Sequence, residues 1–207
     1  MIINEKKKKI MGADIHLFSE KKKTINDKEI WVNADYWTIN PYFGTDEDER
    51  ELEIVSIYDD RNYDLFNVLA EVRGSGPSIS PPRGLPEDVS SIVKKESDRW
   101  DGDGHSHSYF TLDELKNYFK NNSHTSHNGF LSKQQIKELD EDNHTPYIWS
   151  EWSHPDLEYR EWKKVSSLKK IVDKVDTRMR KEFWVREDDE DTSKFDKKFR
   201  IVFWFDN

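Results

Sequence analysis

The chain contains no cysteine among its 207 residues. Without thiols it cannot form disulfide bonds, thiolate zinc sites or a cysteine nucleophile, and such a composition fits the reducing cytoplasm. The sequence also lacks any run close to the ~20 apolar residues of a membrane-spanning helix, and it has no apolar segment typical of a secretory signal. We therefore expect a cytoplasmic protein without a membrane partner.

Apolar residues are scarce as well, at 34% of the chain against 36% charged residues. Aromatic residues make up 13% and include eight tryptophans. Each buried aromatic ring removes ~150–250 Å² from water, so a few large side chains can replace many aliphatic ones. The composition predicts a core built on aromatic residues.

The chain has no excess of positive charge, since its formal net charge is −9 and its pI is near 5.3. Polymers of phosphate repel an acidic protein, so we do not expect binding of DNA or RNA through bulk electrostatics. A small anionic ligand held by a local group of arginines remains compatible with this charge.

The first ten residues, MIINEKKKKI, differ from the rest in being lysine-rich and polar. They form either a basic tail or, as we favour, a translated ribosome-binding site ahead of a natural start at Met11. In both cases we expect residues 1–10 to be a disordered leader and residues 11–207 to form a single domain.

Hydrophobic periodicity predicts an α+β fold with a mostly antiparallel sheet. The sheet should contain an N-terminal hairpin and the C-terminal aromatic strand KFRIVFWFDN, in which every second residue shares one face. Helices should pack on this sheet, and capping boxes at Thr111 with Glu114 and at Ser132 with Gln135 mark the start of two of them. The segment HTSHNG at 124–129 has the composition of an exposed loop.

One candidate site is the segment DGDGHSHS at 101–108, which resembles part of a metal centre. In an extended strand His105 and His107 point the same way and can share one divalent metal such as Mn or Zn. A D-x-H pair on the first predicted strand supplies similar ligands, and the full candidate set is Asp14, His16, Asp103, His105 and His107. These two motifs resemble those of metallophosphoesterases, although the middle motifs of that family are absent. The alternative is a glycine turn whose histidines bond to the backbone.

A second candidate is the loop from Arg73 to Gly84, RGSGPSISPPRG. Its glycine and serine N–H groups, including that of Ser75, can cradle a phosphate, and Arg73 and Arg83 can bind it through two hydrogen bonds each. The loop is not a P-loop, because no Gly-Lys-[Ser/Thr] follows. It could instead be a surface loop stiffened by proline.

A third candidate is the start of the helix within DDRNYDLF at 59–66. Arg61 and Tyr63 lie where free N–H groups and the helix dipole favour anions. Neighbouring aspartates oppose this and can simply cap the helix. Tyr63, Trp100 and Tyr109 are aromatic candidates for stacking on a nucleobase.

Five segments in the same order resemble a family of phage and prophage proteins that open with MG-[AC]-DIH and end in FDN. These segments are MGADIHLF at 11–18, DRNYDLF at 60–66, PRGLPEDVS at 82–90, DGHSHSYFTLDEL at 103–115 and RIVFWFDN at 200–207. The resemblance implies a phage protein that acts in the cytoplasm of the host cell. Small acidic phage proteins with an arginine-lined pocket resemble those that bind or destroy nucleotide messengers of host defence, which is an analogy of setting and not of motif.

The hypothesis that follows is a cofactor-free protein that sequesters a phosphorylated nucleotide, such as a cyclic nucleotide or an ADP-ribose-type messenger. Its predicted ligand-binding residues are Arg61, Tyr63, Arg73, Ser75, Arg83, Gly84, Trp100, His105 and Ser108. The first alternative is a phosphodiesterase with His105 and His107 as catalytic residues, working with or without the metal. The second is an inhibitor that binds a host protein. A homo-oligomer is compatible with all three.

Overall fold

The computed structural model describes residues 12–45, 49–74 and 76–207. The predicted leader 1–10 and Ser75 of the predicted phosphate loop lie outside the described residues. The elements, in chain order, are β1 (Asp14–Ile25), β2 (Lys28–Asn33), β3 (Tyr36–Ile39), β4 (Leu52–Val55), α1 (Tyr63–Ala70), α2 (Ser91–Asp98), β5 (His105–Thr111), α3 (Leu112–Asn121), β6 (His124–Ser132), α4 (Lys133–Asp142), β7 (Leu157–Val165), α5 (Leu168–Phe183), α6 (Ser193–Asp196) and β8 (Phe199–Asp206). The predicted α+β class is confirmed.

The main sheet has four antiparallel strands in the order β2-β1-β8-β5. The N-terminal hairpin and the C-terminal strand are thus neighbours, as predicted. Strand β8 lies inside the sheet, and its first seven residues are all buried. A strand covered on both faces needs apolar side chains on both, which explains the nearly continuous apolar run of RIVFWF.

The larger part of the core lies on one face of this sheet, where Phe199, Ile201, Phe203 and Phe205 alternate along β8. Helices α1, α3 and α5 contribute the opposing side chains, among them Leu65, Phe66, Leu115, Ile171 and Val175. On the other face, Val202 and Trp204 pack with Phe18 of β1 and Val93 of α2 in a smaller cluster. The core is therefore built on aromatic residues, as the composition predicts.

The interpretation of residues 124–129 as an exposed loop is wrong, because they belong to β6, which pairs with β7 over nine residues. Although its sequence is polar, this segment is a strand whose alternate residues pack against tryptophans. The ring of His127 stacks on Trp162 with centroids 6.0 Å apart. At Gly129 a Cβ atom would lie 2.4 Å from Trp149, so only glycine fits.

Both predicted capping boxes are present, at the starts of α3 and α4. In the described part of the chain, no helix combines the length and the apolar character needed to cross a membrane.

Candidate functional site

The register of the main sheet brings distant candidate residues to one of its ends. Asp14 pairs with Asp206, and Ile15, Phe205 and His105 lie in one row across β1, β8 and β5. The side chains at this end, which belong to both faces of the sheet, are called the sheet-end cluster: Asp14, His16, Arg61, Arg73, Trp100, His105, Trp204 and Asp206. Sequence analysis pointed to six of them and missed Trp204 and Asp206, whose place follows from the pairing of the first strand with the last.

Arg61 binds Asp14 through two parallel hydrogen bonds. Its Nε atom donates to Oδ1 at 2.9 Å and its Nη2 atom to Oδ2 at 2.6 Å. The Arg61 guanidinium holds the pKa of the Asp14 carboxyl below its usual range, mainly through this bonding. Both side chains are about half exposed, at 52% and 51%, so solvent screens their attraction. Another anion can therefore replace Asp14 as the partner of the Arg61 guanidinium.

Arg73 reaches the same end of the sheet from the other side of α1. Its Nη2 atom donates to the side-chain oxygen of Asn207 at 2.7 Å, directly after β8. Arg61 and Arg73, which flank α1 in the sequence, therefore both reach the end of the sheet where β1 begins and β8 ends.

Arg83 does not join the cluster and instead anchors its loop to α3 and β5. Its Nη1 atom donates to Glu114 at 2.7 Å, and its guanidinium lies over the ring of Phe110, 4.4 Å from the centroid. The Arg83 backbone N–H donates to the Ser108 hydroxyl, and that of Gly84 donates to the carbonyl of His107. These N–H groups are already paired, so the predicted roles of Arg83, Gly84 and the buried Ser108 in holding a phosphate are not supported.

His16 lies between two indole rings of the cluster. Its ring centroid is 4.0 Å from that of Trp100 and 5.8 Å from that of Trp204. Its Nε2 atom is 3.4 Å from Asp206 Oδ2, close enough for an ion pair but without the geometry of a hydrogen bond. Burial lowers the pKa of His16 more than Asp206 raises it, so the imidazole is mainly neutral at pH 7.

His105 and His107 lie on opposite faces of the sheet, which corrects the prediction that they point the same way. A β-bulge interrupts the pairing between His105 and Ser108, and Ser106 there has a left-handed φ of 53°. His105 consequently lies beside Phe205, whereas the ring of His107 stacks on Trp204. The Nε2 atom of His105 is buried and has no hydrogen-bond partner in the described segments.

The predicted metal centre is not formed. Strand β8 lies between β1, which carries His16, and β5, which carries His105 and His107, so β1 and β5 are ~10 Å apart. A histidine nitrogen must lie ~2 Å from a metal that it binds. The Trp204 ring, which both His16 and His107 contact, lies on this intervening strand. Asp103 is exposed on the turn before β5. Within residues 12–45, 49–74 and 76–207, no three His, Asp or Glu side chains are grouped to hold a metal ion.

The three predicted aromatic residues differ in position, and Tyr109 of β5 lies beneath the guanidinium groups of Arg83 and Arg200, 5.6 and 5.7 Å from its ring centroid. Trp100 belongs to the cluster through its contact with His16. Tyr63 is 39% exposed at the start of α1, and its ring packs edge-on against Phe66. Tyr63 is thus available at the surface beside Arg61.

Acidification should destabilise the protein through His16 and His107. Burial lowers the pKa of both imidazoles below the usual 6.5, although Asp206 and Asp14 partly oppose this for His16. Between the folded and unfolded pKa values the unfolded chain binds more protons, so this stability is complete above pH 6.5 and is lost as the pH falls through the folded values. Urea unfolding of the His16→Gln/His107→Gln double variant should show a shallower loss from pH 7.5 to 5 than the parent. An equal slope would contradict this assignment.

No family model, curated protein or solved structure matches this chain. Functional inference therefore starts from the sheet-end cluster itself.

Proposed function

We propose that the protein binds a small phosphorylated nucleotide at the sheet-end cluster and sequesters it. In the phage setting that the sequence suggests, the ligand is a messenger of host defence and the protein acts in the host cytoplasm. The observation that carries this proposal is that Arg61, Arg73 and a His105 Nε2 atom without a partner in the described segments all lie at one end of the sheet.

Two guanidinium groups at the same end of the sheet suit a phosphate, because each can form two charge-assisted hydrogen bonds with its oxygens. The exposed pair of Arg61 with Asp14 is weak, so a phosphate can replace the carboxylate at little cost. Arg73 has the neutral amide oxygen of Asn207 among its partners. The exposed pair of Arg61 with Asp14 thus differs from that of Arg200 of β8, whose partner Glu20 is fully buried.

Asp14 and Asp206 make the cluster selective. Their carboxylates repel a bare phosphate, but they accept hydrogen bonds from hydroxyl groups. A ligand that carries both phosphate and ribose hydroxyls therefore fits better than inorganic phosphate. His105 Nε2 supplies one further hydrogen-bonding atom.

Sequestration is better supported than cleavage. The metal ligands that a phosphodiesterase would need are not grouped in the described residues. His107, the second predicted catalytic histidine, is hydrogen-bonded to Ser97 at 3.0 Å on the opposite face of the sheet from His105. A pair of cooperating histidines is thus not available to act as general acid and base.

Thermal unfolding in the presence of ADP-ribose and a panel of cyclic nucleotides tests the proposal. A bound ligand at 100 times its Kd stabilises a protein by ~2.7 kcal/mol, which corresponds to roughly 5–10 °C for a chain of this size. We expect Arg61→Gln/Arg73→Gln to weaken binding on the order of 100-fold, since two charged hydrogen-bonding groups are lost. Arg186→Gln, which removes an arginine that is 81% exposed after α5, is the matched control and should bind normally.

Chromatography of the ligand after incubation separates the alternatives. Recovery of intact nucleotide supports sequestration, and its consumption supports the phosphodiesterase. No shift with any nucleotide would contradict the proposal and favour binding of a host protein, for which Tyr147, Ile148 and Trp152 are exposed candidates.

A further inference from the structure

A cavity of about 500 Å³ lies between α1, α3 and β6, next to the loop that follows Arg73. Its lining includes Asp64 and Asn67 of α1, Tyr118 of α3, and His124 and Ser126 of β6. Small-molecule sites typically measure ~300–1,000 Å³, so the cavity is large enough for a nucleoside. None of the arginines considered so far as phosphate ligands lines it.

The buried wall of the cavity carries an unpaired polar group. Asn67 is only 6% exposed, and its carboxamide forms no hydrogen bond within the described part of the chain. Its Oδ1 and Nδ2 atoms are not among the fully enclosed unpaired atoms, so they face the open space of the cavity, where native proteins pair such groups with water or ligand. The Asn67 carboxamide, which offers both donors and an acceptor, therefore points to a ligand with the complementary pair.

Two glycines of the loop, Gly74 and Gly76, lie against the side chain of Asn67. A Cβ atom at Gly74 would lie 2.5 Å from the Cβ of Asn67, and one at Gly76 would lie 3.8 Å from Asn67 Nδ2. Gly76 also has a φ of +132°, a conformation that other residues avoid. These glycines, which the sequence suggested as a phosphate cradle, instead bring the backbone close to Asn67.

The cavity differs from the proposed phosphate site in the charge of the residues that line it. Its lining residues in the described chain include the carboxylate of Asp64 but neither lysine nor arginine. A phosphate would be repelled here, whereas a neutral base would not. The cavity nevertheless adjoins the sheet-end cluster, because Arg61 lies three residues before Asp64 and Arg73 directly precedes Gly74.

We propose that this cavity receives the base of the bound nucleotide and that Asn67 selects adenine. This inference rests on the proposed function. A carboxamide pairs with adenine through two hydrogen bonds, since it accepts from the N6 amino group and donates to N7. Guanine presents two acceptors on the same edge, O6 and N7, which suit arginine or lysine instead. The aromatic rings of Tyr118 and His124 line the same cavity and offer surfaces on which a base can stack.

Calorimetric titration with ADP, GDP and inorganic pyrophosphate tests the assignment. The parent protein should prefer ADP to GDP by on the order of 10- to 100-fold, the usual discrimination of one such pair. Asn67→Asp should abolish most of this preference, because a carboxylate cannot donate to N7, and it should leave the weak binding of pyrophosphate unchanged. A normal thermal midpoint for this variant confirms that it is folded.

A second variant tests the cavity without any substitution at the buried residue Asn67. Ser126 is exposed on β6 and lines the cavity, so Ser126→Trp should fill it and weaken ADP binding without affecting the fold. Asn128→Trp, also exposed on β6 but outside the lining, is the matched control. If nucleotides bind and both Asn67→Asp and Ser126→Trp keep the parent's preference, the cavity assignment is wrong and the phosphate site stands. If pyrophosphate, ADP and GDP all fail to bind, the proposed function fails as well.

Discussion

Glu20→Gln should lower the free energy of unfolding by about 3 kcal/mol, because it removes the buried counter-charge of Arg200 and leaves only Asp88, which is 65% exposed. The Glu20 side chain is fully buried, and its Oε2 atom accepts from Arg200 Nε at 2.7 Å. Its other oxygen accepts from the backbone N–H of Ser90 at 2.7 Å, which ties α2 to the sheet. The Arg200 guanidinium also lies over the ring of Trp31, 4.0 Å from the centroid, so it cannot move into water.

Urea unfolding measures this effect against a matched control. Asp98→Asn breaks an ion pair with Lys94 on α2 whose side chains are 60% and 58% exposed, and such pairs contribute no more than ~0.5 kcal/mol. A double variant, Glu20→Met/Arg200→Met, should be more stable than Glu20→Gln alone, since it removes both charges. Equal destabilisation by Glu20→Gln and Asp98→Asn would show that the buried pair is not important for stability.

Phe203→Ala should destabilise the protein by about 3–5 kcal/mol and lower its melting temperature by roughly 10 °C. Phe203 is fully buried in the central strand, where it pairs with Leu17 on one side and Ser108 on the other. Its ring centroid is 5.9 Å from that of Phe110 and 5.8 Å from that of Phe205. Strands hydrogen-bonded on both sides cannot close in on the space that the missing ring leaves.

Thermal unfolding provides the comparison, with Trp152→Ala as the control for loss of an aromatic ring. Trp152 is 80% exposed, so its removal should change the melting temperature by no more than about 1–2 °C. A loss below ~1 kcal/mol at Phe203 would mean that the aromatic face of β8 is not the main core.

The sequence predicts a helix or strand well where a pattern of residues recurs along that element or marks its start. The alternate aromatic residues of β8 predict a buried strand, and both capping boxes predict the starts of α3 and α4. The signal failed at β6, because His127 and Gly129 pack against tryptophans that only the folded chain brings to them. A strand made of small polar residues has no hydrophobic alternation to detect.

The candidate site was accessible only in part. Asp14, Arg61 and Arg73 were selected by residue type, but nothing local in the sequence indicates that the first two pair with each other. Arg83 has the same chemistry as Arg61, and it is used for packing because Glu114 and Phe110 lie beside it. Asn67 was missed altogether, since an asparagine within an apolar helix carries no signal until its surroundings are known.

The sequence by itself determined the absence of disulfide bonds, the α+β class, the aromatic residues of the core and the starts of two helices. These properties depend on composition or on residues within four positions of one another, and local sterics and hydrogen bonding decide them. Only the tertiary structure decided which candidate side chains meet. Asp14 and Asp206 are 192 positions apart, and their pairing follows from the burial of β8 between β1 and β5. One bulge at Ser106 then turned two histidines to opposite faces, because a strand alternates with a period of two and a single extra residue reverses every side chain beyond it.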